Sequence, residues 1–367
     1  MDILQVNKYY YPKVGGIENV VRNIAEGLPD TYTTRVLAAQ ARGLGKRERH
    51  NGVEIRKTLS LGTAMSVPLA PRFPAHLRTM SQGADIVHHH IPNPLSTVSR
   101  LTTGTSDTAV VATYHSDIVR QSTALKLYRP ILQRFLDSVD RILVTSDRLL
   151  NQSQMLTPYE QKCEVVPLSV DLPAIDAEDP PESDVETADP VVLFVGRLNY
   201  YKGVEYLVDA VENIKAKVLI AGDGERRSAL EQRVRDRGVE ERIQFLGYVS
   251  DDKLASLYRT ADLFVLPSVE PSEAFGIVQL EAMARDLPVV NTSLSTGVPW
   301  VSQDGKTGLT VPPRDASALA EAINTLLDND RLRKEYGKQA RKRVEEKFSR
   351  EEMLQDIQRV YHEVTNS

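Results

Sequence analysis

Short apolar runs alternate with longer amphipathic stretches along the first half of the chain. The runs are rich in Val and Ile, as is typical of parallel strands buried on both faces. Strands are predicted at Ile3–Val6, Arg35–Ala39, Ile86–His88, Val110–Thr113 and Ile142–Val144. Between them, Ile17–Leu28 and Thr123–Leu136 carry apolar residues at helical spacing. The first half therefore predicts a βαβ array.

This pattern stops between Leu172 and Pro190, where prolines and acidic residues replace any periodic apolar face. Such a composition is typical of a linker. A second array follows at once, with strands predicted at Val191–Val195, Lys217–Ile220, Ile243–Phe245, Leu263–Leu266 and Val289–Val290. We therefore expect an α/β protein with two Rossmann-like, doubly wound domains that face a central cleft. The expected segments are an N-terminal domain at 1–171, an acidic linker at 172–190, a C-terminal domain at 191–348 and a final helical segment at 349–367.

Composition supports two domains and divides the charge unevenly between them. A chain of 367 residues with 41% hydrophobic content can bury two cores. The net charge of −5 argues against a nucleic-acid binder with a basic surface. Residues 1–171 hold 20 Lys and Arg against 15 Asp and Glu, whereas residues 172–367 hold 25 against 35. The first domain is therefore the better candidate for contact with an anionic partner.

The cysteine content and the length of the apolar stretches indicate the cellular compartment. The single cysteine, Cys163, excludes an internal disulfide framework and a cysteine-based zinc cage, and it fits a reducing compartment. The segment Met1–Val6 leads into an apolar strand rather than into a signal peptide. No stretch reaches the roughly 18 apolar residues that a membrane-spanning helix needs. We therefore expect a cytoplasmic protein whose membrane contact, where it exists, is peripheral.

Paired glycines follow the first predicted strand. Gly15 and Gly16 open the next predicted helix, where glycine lets the backbone approach a ligand and the helix N-terminus offers N–H groups to an anion. A plain strand-to-helix turn explains the same pair, and the G-x-G-x-x-G spacing of a dinucleotide site is absent. The loop is a candidate binding element in either case.

Two cations lie between the strand at 191–195 and the next helix. Arg197 and Lys202 leave a strand end and approach a helix start, so both can point at one diphosphate, with Arg as a fork and Lys as a point charge. Solvated surface charges are the alternative. Their position after a buried strand favours the binding interpretation.

Two glutamates eight residues apart follow the strand at 263–266. Glu273 is predicted to lie in the loop and Glu281 within the following helix, so that they can contact different parts of an extended ligand. If the segment were helical throughout, the two would lie about 12 Å apart. Between them, the N–H groups of Phe275, Gly276 and Ile277 would form a helix N-terminus that favours phosphate. Glu281 sits among apolar residues and needs a hydroxyl or cationic partner, which a ribose diol would provide. Ordinary helix surface is the alternative.

Histidines follow two predicted strands of the first half. His115 can hydrogen-bond a sugar hydroxyl or a phosphate, with Asp117 nearby to bias its charge, although an ordinary loop histidine fits equally well. His88-His89-His90 comes after the strand at 86–88, and three consecutive imidazoles point in different directions. We therefore expect one histidine that faces the cleft and packing for the others, rather than a shared metal site.

Taken in order, these motifs resemble the retaining glycosyltransferases of family 4 over almost the whole chain. Gly15-Gly16 resembles the family's N-terminal glycine loop, the segment from Gly196-Arg197 to Lys202-Gly203 its diphosphate clamp, and Glu273 to Glu281 its E-x7-E motif. The segments 114–121 and 296–301 are similar to those of bacterial and archaeal polysaccharide mannosyltransferases.

The resemblance implies the GT-B architecture and assigns roles to these residues. It makes Glu273 and His115 the catalytic residues, which hold the donor sugar near the reacting carbon. The implied donor-binding residues are Gly15, Gly16, Arg197, Lys202, Phe275, Gly276, Ile277 and Glu281. Within that set, Arg197 and Lys202 hold the pyrophosphate and Glu281 holds the ribose. The final helix, Glu351–Val364, is expected to return to the first domain.

The implied reaction moves a hexose, with mannose from GDP-mannose as the favoured donor, to a glycan or lipid-linked acceptor. The acceptor hydroxyl attacks on the face of the leaving group, and no residue is assigned to a double displacement. We expect no metal or other cofactor, because cationic side chains take the place of a metal, and Asp328-Asn329-Asp330 is best explained as a helix cap.

Three further questions stay open from the sequence. The stretch Thr123–Leu136 fits an amphipathic helix on the anionic inner face of a membrane, but a helix packed on its own sheet is the preferred explanation of the same pattern. A nucleotide-sugar 2-epimerase of the same fold is the alternative enzyme. A non-catalytic nucleotide-sugar-binding subunit is the alternative from another class.

Overall fold

The computed structural model describes residues 1–13, 15–64, 67–103, 108–118, 122–177, 179, 185 and 187–366. It divides into two compact units. Unit 1 comprises Met1–Leu168 together with Arg350–Ser367, and unit 2 comprises Ser169–Ser349. Within the described ranges, no helix combines the length and the apolar composition that a membrane span requires.

An eight-stranded sheet forms the centre of the described part of unit 1. Its strands are β1 (Asp2–Val6), β2 (Thr33–Ala39), β3 (Lys46–His50), β4 (Val53–Thr58), β7 (Ile86–Ile91), β8 (Ala109–Tyr114), β9 (Arg141–Val144) and β10 (Cys163–Val165). The order is β10-β9-β8-β7-β1-β2-β4-β3, and every neighbouring pair is parallel except β3 with β4. A small separate hairpin pairs β5 (Thr63–Ala64) with β6 (Val67–Pro68).

Helices cover this sheet because its strands are apolar on both faces. All six residues of β7 are buried, and Ile3, Leu4 and Val6 of β1 have no exposed surface. The helices are α1 (Gly16–Gly27), α2 (Phe73–Ser81), α3 (Pro94–Thr103), α4 (Ser122–Asp137), α5 (Asp147–Gln152) and α14 (Arg350–Thr365). The last of these, α14, contacts α1 and β8 and buries Ile357, Val360 and Tyr361.

Unit 2 is built on a six-stranded parallel sheet. Its strands are β11 (Val191–Val195), β12 (Lys217–Ala221), β13 (Ile243–Gly247), β14 (Leu263–Leu266), β15 (Val289–Thr292) and β16 (Gly308–Val311). Its helices are α6 (Leu172–Asp176), α7 (Val204–Ala210), α8 (Arg227–Arg237), α9 (Asp251–Thr260), α10 (Ile277–Met283), α11 (Val298–Val301), α12 (Ala316–Leu327) and α13 (Asp330–Lys347). The order β13-β12-β11-β14-β15-β16 reverses direction between β11 and β14. The ends of these two strands therefore form the topological switch point, where ligands bind in doubly wound sheets.

Two local features differ from what the sequence predicted. The strand predicted at 86–88 continues to Ile91, so His88, His89 and His90 lie within β7 rather than after it. Five of their six ring nitrogens have buried hydrogen-bond partners, which favours their place in the strand, and His89 Nε2 has none among the described residues. The polar edge strand β3, with the sequence KRERH, has no apolar alternation and was not predicted.

The expected linker begins with a helix. Asp171 caps α6 by accepting a hydrogen bond from Ala174 N at 3.2 Å, and Pro173 lies in the first turn, where proline is favoured. Most of the remaining acidic stretch, at 178, 180–184 and 186, lies outside the described residues.

Candidate active site

The loops that follow β11 and β14 meet at the switch point of unit 2. Both loops leave the same edge of the sheet because the two strands are parallel neighbours. Val269 N donates a hydrogen bond to Tyr201 O at 2.8 Å, which ties the two loops together. This junction contains the predicted residues Lys202 and Glu273.

Lys202 and Glu273 form a buried ion pair. Lys202 Nζ lies 2.6 Å from Glu273 Oε2, and each side chain is only 9% exposed. Burial lowers the pKa of the Lys202 amine, but the negative charge of Glu273 and their hydrogen bond raise it, and the net pKa lies above its usual value. The amine is therefore a fixed positive charge at the edge of the sheet.

One oxygen of the Glu273 carboxylate is bound within the protein, and the other is available to a ligand. Ser268 Oγ donates to Oε2 at 2.9 Å, so Oε2 has both a hydroxyl and an ammonium partner. No described residue donates a hydrogen bond to Oε1. A carboxylate oxygen in this state can accept a hydrogen bond from a ligand hydroxyl.

The loop after β15 fixes the backbone around Glu273. Thr296 Oγ1 donates to Glu273 O at 2.7 Å, and Gly297 N donates to Ala274 O at 2.8 Å. Both donors belong to the segment 296–301, whose sequence is similar to that of polysaccharide mannosyltransferases. In this structure the segment has a positioning role for the Glu273 loop.

Gly203 permits the close approach of the two loops. It adopts φ 63°, a left-handed conformation that glycine reaches without strain, and α7 begins directly after it. A Cβ atom at this position would collide with Pro267 O and would lie 2.7 Å from Val269 Cγ1. Any side chain here would therefore separate the loop of Lys202 from the loop of Glu273.

Arg197 lies in the same loop as Lys202 and is exposed. Its guanidinium forms no hydrogen bond or ion pair with the described residues, in contrast to the paired Lys202 amine. An unpaired cation after a buried strand is available for an anionic ligand.

The segment between the two glutamates is not one helix. Gly276 takes φ 74° and α10 begins only at Ile277, so Glu273 lies in a loop, and the 12 Å separation expected of a continuous helix does not apply. The Phe275 ring is buried against Trp300 and Phe348.

Glu281 finds a protein hydroxyl as a partner. Tyr258 OH of α9 donates to Glu281 Oε2 at 2.9 Å. The sequence correctly predicted that this carboxylate would need a hydroxyl, but it did not identify Tyr258. That tyrosine is one of several polar or aromatic residues of an otherwise ordinary amphipathic helix, so the sequence carried no distinguishing signal for it.

The other predicted site residues belong to unit 1. Gly15 is the N-cap of α1 and Gly16 is its first residue, as the sequence predicted. The position of Gly15 is crowded, since a Cβ atom there would collide with Glu18 Oε2. The preceding residue, Val14, lies outside the described part of the chain.

His115 follows β8 and is buried, with 5% of its surface exposed. Burial lowers the pKa of its imidazole to about 3, so the ring is neutral at physiological pH. Asp117 does not contact it, because Asp117 Oδ1 accepts hydrogen bonds from Tyr114 OH at 2.6 Å and from Ser153 Oγ at 2.7 Å. The expectation that Asp117 biases the charge of His115 is therefore wrong.

The three histidines of β7 point to opposite faces of the sheet. His88 and His90 stack on one face at 4.6 Å between ring centroids, whereas His89 lies on the other face, with Nδ1 2.5 Å from Ser96 Oγ. Across the described residues there is no group of three His, Cys, Asp or Glu side chains arranged to hold a metal ion. His88 and His90 form hydrogen bonds through both ring nitrogens, whereas among the described residues His89 forms one through Nδ1 only and packs against Phe135.

Both halves of the chain match models of glycosyltransferase families. Residues 14–173 match Glycosyltransferase Family 4, and residues 176–343 match Glycosyl transferases group 1. The fold is similar to that of sucrose-phosphate synthase from Thermosynechococcus elongatus, with a TM-score of 0.83 at 23% identity over 99% of this chain and 98% of that one.

Two curated relatives are similar over nearly their full length. The O-antigen chain mannosyltransferase C of Escherichia coli is 31% identical over 98% of both chains. The D-rhamnosyltransferase WbpZ of Pseudomonas aeruginosa is 32% identical over 95% of this chain and 92% of its own. With two Rossmann-like domains, a cationic switch point and these relatives, the chain belongs to the family 4 glycosyltransferases of the GT-B fold.

Proposed function

We propose that this enzyme transfers a hexose, with retention of anomeric configuration, from a nucleotide diphosphate sugar to a glycan or lipid-linked acceptor. The favoured donor is GDP-mannose. The buried Lys202–Glu273 pair carries the proposal, because it combines a fixed cation with a free carboxylate oxygen at the switch point. The full-length similarity to an O-antigen chain mannosyltransferase supports the choice of sugar.

The leaving diphosphate is stabilised by cationic side chains. Lys202 provides a preorganised charge whose position does not change during the reaction, and Arg197 provides an unpaired guanidinium that can bind two phosphate oxygens. Charge that builds on the diphosphate as the glycosidic bond breaks is thereby neutralised, and we propose that no metal ion is needed.

The sugar and the nucleoside are held by carboxylates. Glu273 Oε1 accepts a hydrogen bond from a donor sugar hydroxyl, while Oε2 stays bound to Lys202 and Ser268. Glu281 binds the ribose from α10. The backbones of Gly15, Gly16 and of residues 275–277 complete the proposed donor contacts.

Retention follows from attack on the face of the leaving group. The acceptor oxygen forms the new bond to the anomeric carbon as the bond to the diphosphate breaks, and the acceptor proton moves to the departing phosphate oxygen. This route needs no carboxylate nucleophile under the sugar.

Peripheral contact with an anionic membrane, at its cytoplasmic face, fits a lipid-linked acceptor. On α4, Leu132, Phe135 and Leu136 are buried, so one face of the helix packs within unit 1. Leu127 is 75% exposed, with Lys126 and Arg129 exposed beside it. An exposed leucine between cations is the combination that binds anionic lipid surfaces.

The test is an NMR time course with GDP-mannose and candidate acceptors, after a thermal-shift screen of GDP- and UDP-sugars. We expect GDP-mannose to stabilise the protein most and the product to carry the anomeric configuration of the donor. A product of inverted configuration would contradict retention, and stabilisation by UDP-sugars alone would contradict the donor.

Two controls separate the alternatives. Donor incubated without acceptor gives no epimer if the enzyme is a transferase, whereas a 2-epimerase converts it. The Glu273→Gln variant should keep donor binding but lose transfer by about a hundredfold. Donor binding without any transfer by the wild type would instead indicate a binding subunit.

A further inference from the structure

Six buried side chains of unit 1 form a continuous series of hydrogen bonds, which we call the histidine network. Its members connect β1, β7, β8 and α14. They are, in order of contact, His115, His90, Gln5, Tyr361, His88 and Thr113. None of them is more than 5% exposed.

The imidazoles of the network are neutral. Burial lowers the pKa of both His88 and His115 to about 3 and lowers that of His90 well below its usual value. A neutral imidazole carries one N–H donor and one bare acceptor nitrogen. Each ring can therefore donate a hydrogen bond from one nitrogen and accept one at the other, so the role at one nitrogen determines the role at the other.

The orientation of the Gln5 amide determines which ring nitrogen of His90, and then of His115, carries the proton. Its Oε1 faces His90 Nε2 at 2.8 Å, and because an amide oxygen only accepts, His90 Nε2 carries the proton. His90 Nδ1 is then an acceptor. His115 Nε2, 3.0 Å away, must donate to it. The Nδ1 of His115 is consequently left bare, and no described residue bonds to it.

The same amide determines the direction towards α14. Gln5 Nε2 donates to Tyr361 OH at 2.9 Å. The buried Tyr361 hydroxyl has no other acceptor among the described residues, so it donates its proton to His88 Nδ1 at 2.7 Å. His88 Nε2 then donates to Thr113 Oγ1 at 2.7 Å. Rotation of the Gln5 amide by half a turn would reverse every one of these bonds.

We propose that Tyr361 is a positioning residue that acts through Gln5 and His90 to hold His115 as the Nε2–H tautomer. The inference rests on the proposed function, in which His115 contacts the donor. A bare Nδ1 can accept a hydrogen bond from a sugar hydroxyl but cannot bind a phosphate oxygen, which itself only accepts. The network thus selects a hydroxyl as the group that His115 recognises.

Removal of the Tyr361 hydroxyl should reverse the network. In Tyr361→Phe, the Gln5 Nε2 group would be a buried donor without a partner, which costs more than a carbonyl in the same state. Rotation of the amide relieves this cost by turning Oε1 towards the introduced ring. His90 must then accept at Nε2 and donate from Nδ1, so His115 becomes the Nδ1–H tautomer.

The experiment reads the tautomer and the activity separately. Protein labelled with 15N-histidine is studied by NMR, in which the Nδ1 shift distinguishes a bare from a protonated ring nitrogen, with His115→Gln used for assignment. Tyr32→Phe is the matched control, because Tyr32 OH also bonds to α14, at His362 Nε2, but lies outside the network. Circular dichroism checks that both variants fold.

We expect a bare His115 Nδ1 in the wild type and in Tyr32→Phe, and a protonated one in Tyr361→Phe. The kcat/KM for the donor should fall roughly tenfold in Tyr361→Phe alone. An unchanged His115 tautomer in a folded Tyr361→Phe variant would overturn the coupling. A reversed tautomer with unchanged kcat/KM would overturn the positioning role but leave the transferase intact. Absence of transfer by the wild type would instead count against the proposed function, and the tautomers would still test the network.

Discussion

Among single residues, the buried Lys202–Glu273 pair is the feature that best fits the proposed binding role. Burying two charges is expensive, and a buried ion pair seldom stabilises a protein more than apolar residues of the same size. The Glu273 carboxylate also leaves Oε1 without a described donor. An arrangement that is poor for stability and suited to binding indicates a functional site.

Removing one partner of this pair should be costly. Glu273→Ala leaves the Lys202 charge buried without its partner, and we expect the free energy of unfolding to fall by about 3 kcal/mol. Urea unfolding measures the change. The matched control is Glu270→Ala in the same loop, whose partner Arg314 is 48% exposed, so a loss below about 1 kcal/mol is expected. Equal losses in the two variants would contradict the buried pairing.

At the scale of elements, the approach of the β11 and β14 loops depends on Gly203. Gly203→Ala should weaken donor binding and lower stability, because the new Cβ collides with Pro267 O. Gly238→Ala is the matched control, since Gly238 has a similar φ of 64° but no atom within 4 Å of the added Cβ. It should cost only about 1 kcal/mol. Calorimetric donor titration would contradict the account if Gly203→Ala bound normally.

The buried histidines of β7, together with His115 after β8, should make the protein sensitive to acid. Burial lowers the pKa of His88, His89 and His115 to about 3, from 6.5 when exposed. The unfolded chain therefore binds protons that the folded chain does not, and stability is lost as the pH falls from 6.5 towards 3, by about 1.4 kcal/mol per pH unit for each histidine.

Substitution at His89 isolates one of these protons. His89 lies on the opposite face of β7 from the histidine network, so His89→Leu removes one buried imidazole and leaves the network in place. Urea unfolding between pH 7.5 and 5 should show a shallower loss of stability than in the wild type. The same slope in both proteins would show that His89 does not titrate in this way.

Sequence patterns predicted the elements whose burial is uniform. The central strands β1, β8, β11 and β14 are almost entirely buried and mainly apolar, and this composition alone identified them. By contrast, β3 is stabilised by pairing with β4 at an exposed edge, so its sequence carries no apolar signal. The histidines at the end of β7 were likewise not predicted as strand residues, because the hydrogen bonds that stabilise them there come from residues elsewhere in the fold.

The sequence predicted those features of the candidate site that depend only on where a residue lies relative to a strand. Lys202 and Glu273 follow neighbouring parallel strands, and this order predicted that they would share one edge of the sheet. Their direct contact, the Tyr258 partner of Glu281 and the bonds of His115 depend on side-chain positions that spacing does not encode.

At the scale of the whole molecule, the two halves of the chain differ in charge and in predicted partners. Residues 1–171 carry more cations than anions, and residues 172–367 carry more anions than cations. Such a division fits an N-terminal domain that meets an anionic surface. The exposed Leu127 of α4, with cations beside it, is the proposed contact.

Vesicle binding tests this contact. Leu127→Glu should reduce co-sedimentation with phosphatidylglycerol vesicles severalfold, because it removes an apolar contact and adds a repelled charge. Tyr248→Glu is the control, since Tyr248 is equally exposed, at 78%, but belongs to unit 2. Equal binding by both variants and the wild type would contradict a lipid contact through α4.

A crystal structure of the enzyme with GDP-mannose would show whether the donor binds at the switch point of unit 2. We predict that the diphosphate contacts Lys202 and Arg197 and that Glu273 Oε1 accepts a hydrogen bond from a hydroxyl of the mannose. A donor bound elsewhere, with these three side chains directed away from it, would contradict the account.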